Sequence, residues 1–234
     1  MISEIKNSLQ EKSSKKRKIT NEWFFKTKKG DYGEHDQFIG VSMPDIRKIA
    51  NEYKDINKNL ITKLLYSKIH EERSLSLIIL VNKYRKHKKY KKQVYDFYIK
   101  NINQVNNWDL VDFSCYNILG DYIYEKKIDP IKKLETFCDS NSMWERRISI
   151  VSTLHFIKKG IYNPTIQISK KLLSDKEDLI HKAVGWMLRE VWKNDNKLIE
   201  NFIIKHYKKI PRTTLRYTIE KMEQNKRKNF LSIK

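Results

Sequence analysis

Asn107-Trp108-Asp109-Leu110-Val111-Asp112 holds the most chemically suggestive spacing in the chain. Asn107 is a favoured helix N-cap type. A helix starting there puts Trp108 and Asp112 four residues apart on one face. Leu110, Val111 and Phe113 supply apolar contacts, so neither Trp108 nor Asp112 has to enter the core. A fixed carboxylate can stabilise a cation as it forms, orient a water and take its proton. An aromatic face attracts the same cation through its quadrupole. The plainer alternative makes Trp108 a core residue and Asp112 a surface charge. Two more segments carry candidates. Trp144-Glu145-Arg146-Arg147 opens an apolar-striped stretch, and Lys182, Trp186 and Arg189 share a helical face by spacings of four and three. Gly185 between them costs helix stability relative to Ala, which suggests the close approach of a neighbour.

The elements that must position these residues read as helices. Apolar residues recur at helical spacing over 44–53, 71–86, 108–125, 143–158 and 178–193, with shorter apolar segments at 57–66, 90–102, 129–138, 164–173 and 197–207. No stretch alternates long enough for a strand. Pro44 suits a first helical turn. Glu22 to Thr27 resembles a helix end, and a loop with Gly30, Gly33 and Gly40 follows. Asp112, Arg147 and Lys182 fall 35 residues apart, and Arg73 precedes Asp112 by 39. One long and one short helix per interval predicts an all-α solenoid of helix pairs. Its second helices would align Arg73, Asp112, Arg147 and Lys182 along one basic concave face. The register selects Arg147 over Arg146 for that face. The expectation is one domain over residues 1–234, with 1–20 and 226–234 peripheral or frayed.

Composition narrows the partner. Lys and Arg number 49 against 28 Asp and Glu, a formal +21. Such a field gathers polyanions, and nucleic acid is the default partner. Cys115 and Cys138 form no Cys-x-x-Cys pair, and the six histidines form no His-Glu-x-x-His. No metal and no cofactor are therefore expected, and the thiols should be reduced in an intracellular compartment. No run approaches a membrane span and no signal core opens the chain.

Four segments, taken in order, resemble the DNA alkylation repair proteins of the AlkD family. They are Phe38-Ile39-Gly40-Val41-Ser42-Met43-Pro44-Asp45-Ile46-Arg47, Trp108-Asp109-Leu110-Val111-Asp112, Trp144-Glu145-Arg146-Arg147 and Gly185-Trp186-Met187-Leu188-Arg189-Glu190. The resemblance spans roughly residues 20–225, and the order of the motifs makes it specific. It implies a HEAT-like repeat fold and a monomeric, monofunctional DNA glycosylase acting on alkylated duplex DNA, which in a prokaryotic cell would place it in the cytoplasm with the nucleoid. It places the catalytic carboxylate on Asp112, active-site tryptophans on Trp108 and Trp186, and a catalytic and backbone-contacting arginine on Arg147. It makes Arg189 a second phosphate contact, and Lys182, placed by the repeat register, and Ser42 are further expected DNA contacts. A further backbone position, two turns past Arg147, is His155 here. A non-catalytic HEAT-like module that binds DNA or RNA would share the charge and the arginines. Asp112 separates the two, because a carboxylate opposes polyanion binding and needs another reason to be there.

Overall fold

The computed structural model describes residues 1–233. Their regular structure is helical, and the one strand-like feature among them is an isolated parallel bridge, Gln37 with Ile69, in the loop between the second and third helices and the start of the fifth. The chain gathers into two compact units, Met1–Leu110 and Val111–Lys234.

In the first unit, α1 (Ile2–Glu11), α2 (Lys15–Phe24), α3 (Met43–Glu52), α4 (Lys58–Leu65), α5 (His70–Lys86) and α6 (Lys91–Lys100) follow one another. The next helix, α7 (Trp108–Cys115), begins here and runs past the unit's end. α5 is central. Leu75, Leu77, Ile79 and Leu80 bury it on several sides, and α3, α4 and α6 all pack on it. Each such side chain stabilises by roughly 1.5–3 kcal/mol when fully buried. Ser42 caps α3, its hydroxyl oxygen accepting from the Asp45 amide at 3.3 Å. The expected peripheral lead-in differs from the finding, because α1 seats Ile5 and Leu9 fully in the core. A single apolar stripe at i and i+4 was too short to stand out beside the lysines. α2 buries no residue and leaves Ile19, Trp23 and Phe24 exposed. Gly40 has φ +84, and a Cβ there would lie 2.2 Å from the Ser14 carbonyl oxygen. Only glycine lets this loop pass beneath the start of α2.

The second unit repeats a helix pair. Its helices are α8 (Asp121–Glu125), α9 (Pro130–Cys138), α10 (Met143–Ser152), α11 (Leu154–Ile157), α12 (Asn163–Leu172), α13 (Asp178–Trp192), α14 (Asn196–His206), α15 (Arg212–Thr218) and α16 (Gln224–Ser232). α9 pairs with α10 and α12 with α13. First helix then packs on first, α9 on α12, and second on second, α10 on α13. This is the 35-residue period in physical form. Pro130 and Pro164 sit in first turns, where a missing N–H costs nothing. Between α7 and α8 the helix widens into a π-helical turn, Tyr116–Gly120. Gly120 is needed there, since a Cβ would meet the Ser152 carbonyl oxygen at 2.5 Å. The expected frayed C-terminus instead forms α16, which buries Phe230.

Candidate active site

Asp112 and Arg147 meet inside the second unit. The carboxylate comes from α7 and the guanidinium from α10. Arg147 donates from Nε to Oδ1 at 2.9 Å and from Nη2 to Oδ2 at 2.8 Å. Its Nη1 donates to the Leu179 carbonyl oxygen on α13 at 2.5 Å. Three of the five guanidinium N–H groups are thereby engaged, across three helices. A two-pronged pair of this kind fixes the plane of the carboxylate as well as its position. The Arg147 side chain is 6% exposed and the Asp112 side chain 18%, so an incoming group can reach the carboxylate but hardly the arginine. Arg146, the other arginine of the dipeptide, holds Asp175 and the carbonyls of Ser140 and Asn141. The repeat register thus distinguishes two adjacent arginines that composition cannot.

The other candidates of this unit lie as follows. Trp186 is half-buried on α13. Lys182 on the same helix is 38% exposed and pairs with Asp178 at 2.8 Å. Arg189 is mostly buried and forms an ion pair with the half-exposed Glu220, with Glu190 at 3.8 Å from its Nε. Lys221 and Arg189 hold the Glu220 carboxyl below its usual range. The Nε2 of His155 lies 3.8 Å from Asp121, and its ring is tilted against Tyr124. Close approach at Gly185 is as expected, since a Cβ there would sit 2.6 Å from the Thr214 carbonyl oxygen.

In the first unit Trp108 is half-buried. Its ring stacks on Phe25 with centroids 5.1 Å apart and meets Phe24 edge-on at 5.6 Å. Trp108 and Asp112 are one turn apart on α7. Ser42 is half-buried at its cap position. Arg73 departs from expectation. It is buried rather than on an open face, and it forms an ion pair with the fully buried Asp36 and a hydrogen bond to Asn106. Burial lowers its pKa to about 10, against the opposing pull of Asp109.

Sequence reasoning missed the network around Arg73. Asp36 Oδ2 takes the Asn107 side-chain amide at 2.6 Å and faces His70 Nδ1 at 3.1 Å. His70 Nε2 faces Asp109 Oδ2 at 2.8 Å. Asn107 Oδ1 accepts from the adjacent Trp108 amide at 2.8 Å, the first amide of α7, while its side-chain amide is held by Asp36. The one available signal was His70 and Arg73 at i and i+3 in the charged first turn that leads into the apolar run Leu75–Val81. Among the described residues no group of three or more His, Cys, Asp or Glu could hold a metal ion. No described helix is long and apolar enough to cross a membrane.

Comparison with known proteins follows this geometry. A family model described as DNA alkylation repair enzyme matches residues 5–222. A solved structure titled "Predicted DNA alkylation repair enzyme from Enterococcus faecalis" superposes with a TM-score of 0.69 at 14% identity, covering 91% of this chain and 98% of that one. At that identity the likeness shows a shared fold. No curated protein matches the chain.

Proposed function

This chain belongs to the DNA alkylation repair enzyme family, and from that premise we propose that it is a DNA N-glycosylase removing positively charged N3- and N7-alkylated purines from duplex DNA. The observation that carries the proposal is the forked Asp112–Arg147 pair, a carboxylate of fixed orientation and 18% exposed in a chain of net +21.

An N3- or N7-alkylated purine already bears positive charge, so it leaves without a general acid. As the glycosidic bond breaks, the charge moves to the deoxyribose, giving an oxocarbenium-like transition state. Asp112 stabilises that charge without reorganising, because Arg147 has already set its plane. It also orients the attacking water and accepts its proton. Trp108 and Trp186 offer aromatic faces to the cationic sugar. Arg189 and Lys182 hold phosphates and fix register without reading sequence. Ser42 and His155 are proposed as lesser backbone contacts. Arg147 acts first as the positioning residue for Asp112, since two of its donors grip that carboxylate and a third holds the Leu179 carbonyl. HEAT-like repeats provide the scaffold, and the reaction ends at an abasic site.

The test is base release from methylated duplex DNA. Asp112→Asn keeps the size and removes the charge. Base release should slow by about 10²-fold or more, the scale of losing one preorganised electrostatic group. DNA affinity should stay level or rise slightly, because the carboxylate opposes nearby phosphates in the ground state. Equal release by the variant would refute the catalytic role. A wild-type chain that binds DNA but releases no alkylated base would be a non-catalytic nucleic-acid-binding module.

A further inference from the structure

We propose that His70 is a positioning residue: by bridging Asp36 and Asp109 it fixes the ring of Trp108 for the sugar cation. The cation rests on the glycosylase reading; the positioning of the ring does not.

Trp108 needs outside support. It is half-buried, and no hydrogen bond to its indole is found among the described residues. Its orientation is therefore set by its backbone and by the ring it lies on. The backbone is gripped on both sides. Asn107, before it, donates its side-chain amide to Asp36 Oδ2 at 2.6 Å, and Asp109, after it, has Oδ2 2.8 Å from His70 Nε2. The indole lies on Phe25, 5.1 Å away and only 9° from parallel. Phe25 in turn lies 5.0 Å from the His70 imidazole, and Phe38 stacks on Phe25 at 4.9 Å and on His70 at 4.7 Å. His70 thus reaches Trp108 by two routes, one through Asp109 to the main chain and one through Phe25 to the indole.

Asp36 and His70 are joined as one anchor. His70 Nδ1 lies 3.1 Å from Asp36 Oδ2. Gln37 donates its amide to the Lys68 carbonyl at 3.1 Å, and its carbonyl accepts from the His70 amide at 2.8 Å. These bonds stitch the loop bearing Asp36 to the start of α5, and Arg73 closes the anchor by pairing with Asp36. The side chains of His70 and Arg73 are 3% exposed and that of Asp36 is 0% exposed, so their role is not contact with DNA. Stability is not a sufficient reason for them either, because packed apolar side chains in place of a buried ionic cluster are often neutral or stabilising. What apolar packing lacks is direction. A hydrogen bond fixes angle as well as distance, and near a reacting centre a misplacement of about 1 Å can cost about 10²-fold.

The experiment is a double-mutant cycle in the full chain. His70→Gln cannot span both carboxylates, and Asp109→Asn weakens the link at its more exposed end while leaving Asp36 and Arg73 paired. Each is made alone and together with Trp108→Ala, and base release is measured at saturating methylated duplex DNA. Each change alone should slow release by about tenfold with DNA affinity unchanged. In the Trp108→Ala background neither should slow it further, because the ring they position is gone. A merely structural role would slow release equally in both backgrounds, and that result overturns the proposal. Should His70→Gln not fold, Asp109→Asn carries the cycle. Acrylamide quenching of tryptophan fluorescence reads the ring directly, with Trp108→Phe marking the part of the signal that belongs to Trp108. That part should quench more readily in His70→Gln and Asp109→Asn, and unaltered quenching also overturns the proposal. If the wild type releases no base, the glycosylase reading alone falls, and quenching still judges the positioning.

Discussion

Asp112 and Arg147 illustrate how a buried ion pair differs from its parts. Two charges leave water together, and the fork compensates both. Removing either partner leaves the other stranded at a cost of about 3–5 kcal/mol. Arg147→Ala therefore confounds catalysis with folding, and Asp112→Asn, which keeps one acceptor oxygen for the fork, has to be read beside its own thermal melt. Arg147→Lys keeps the charge and loses the fork, because an ammonium cannot grip a carboxylate at two points. The expected outcome is base release slowed by at least about tenfold with a smaller loss of melting temperature; parallel kinetics and thermal melts measure it. Arg189 presents the opposite case. Glu220 already occupies its guanidinium from a half-exposed position, so a phosphate must displace a carboxylate. Glu220→Gln should raise affinity for undamaged duplex DNA by about threefold, the scale of an exposed ion pair. A titration showing no change would mean that Arg189 does not meet phosphate.

At the scale of elements, Gly185 separates two opposing effects. Ala in a helix interior normally stabilises by about 0.5–1 kcal/mol over Gly. Here the new Cβ would lie 2.5 Å from Tyr217 Cβ and 2.6 Å from the Thr214 carbonyl oxygen, and backbone cannot step aside as a flexible side chain can. Overpacking of this kind costs about 1–3 kcal/mol. Gly185→Ala should therefore lower stability in denaturant unfolding; a stabilised variant would contradict the packing of α13 on α15. This glycine was legible beforehand, since its helical cost implied a reason. So were the long helices, whose apolar stripes are unbroken, and the Asp112–Arg147 register, which the 35-residue period carries. α15 was not. Arg212–Thr218 is short, and it buries Thr214 and Thr218 beside Leu215, a face with too little apolar contrast to read. The π-helical turn at Tyr116–Gly120 was equally silent, because widening a helix by one residue leaves no compositional trace. The Asp36 network was hidden for another reason. Its members come from a loop and two helix starts, with up to 71 residues between partners, and no local pattern links them.

At the scale of the whole molecule, charge governs encounter and burial governs reactivity. A net +21 should make DNA affinity fall steeply with salt, each neutralised phosphate adding about 0.9 to the logarithmic slope. Filter binding over a salt series measures this, and a flat response would remove the phosphate contacts assigned above. Cys115 and Cys138 behave inversely to the surface. Burial pushes both thiols up, Cys115 the further, and the neighbouring Ser152 and Ser149 hydroxyls only partly oppose it. Thiolate is the reactive form. Thiol titration of the native chain at neutral pH should be slow, and both groups should react once denaturant is added. The long reach of the Asp36 network has a consequence for biosynthesis. A nascent chain exposes its N-terminal segments first, and they begin to fold while the rest is still being made. Asp36 and Arg73 emerge well before Asn107, and His70 well before Asp109. Until residue 109 leaves the ribosome, an N-terminal intermediate holds Asp36 and His70 without two of their partners. Translation arrested while Asn107 is still inside the ribosome should leave a loosely closed, protease-sensitive first unit, and arrest far enough downstream for Asp109 to have emerged should let it lock.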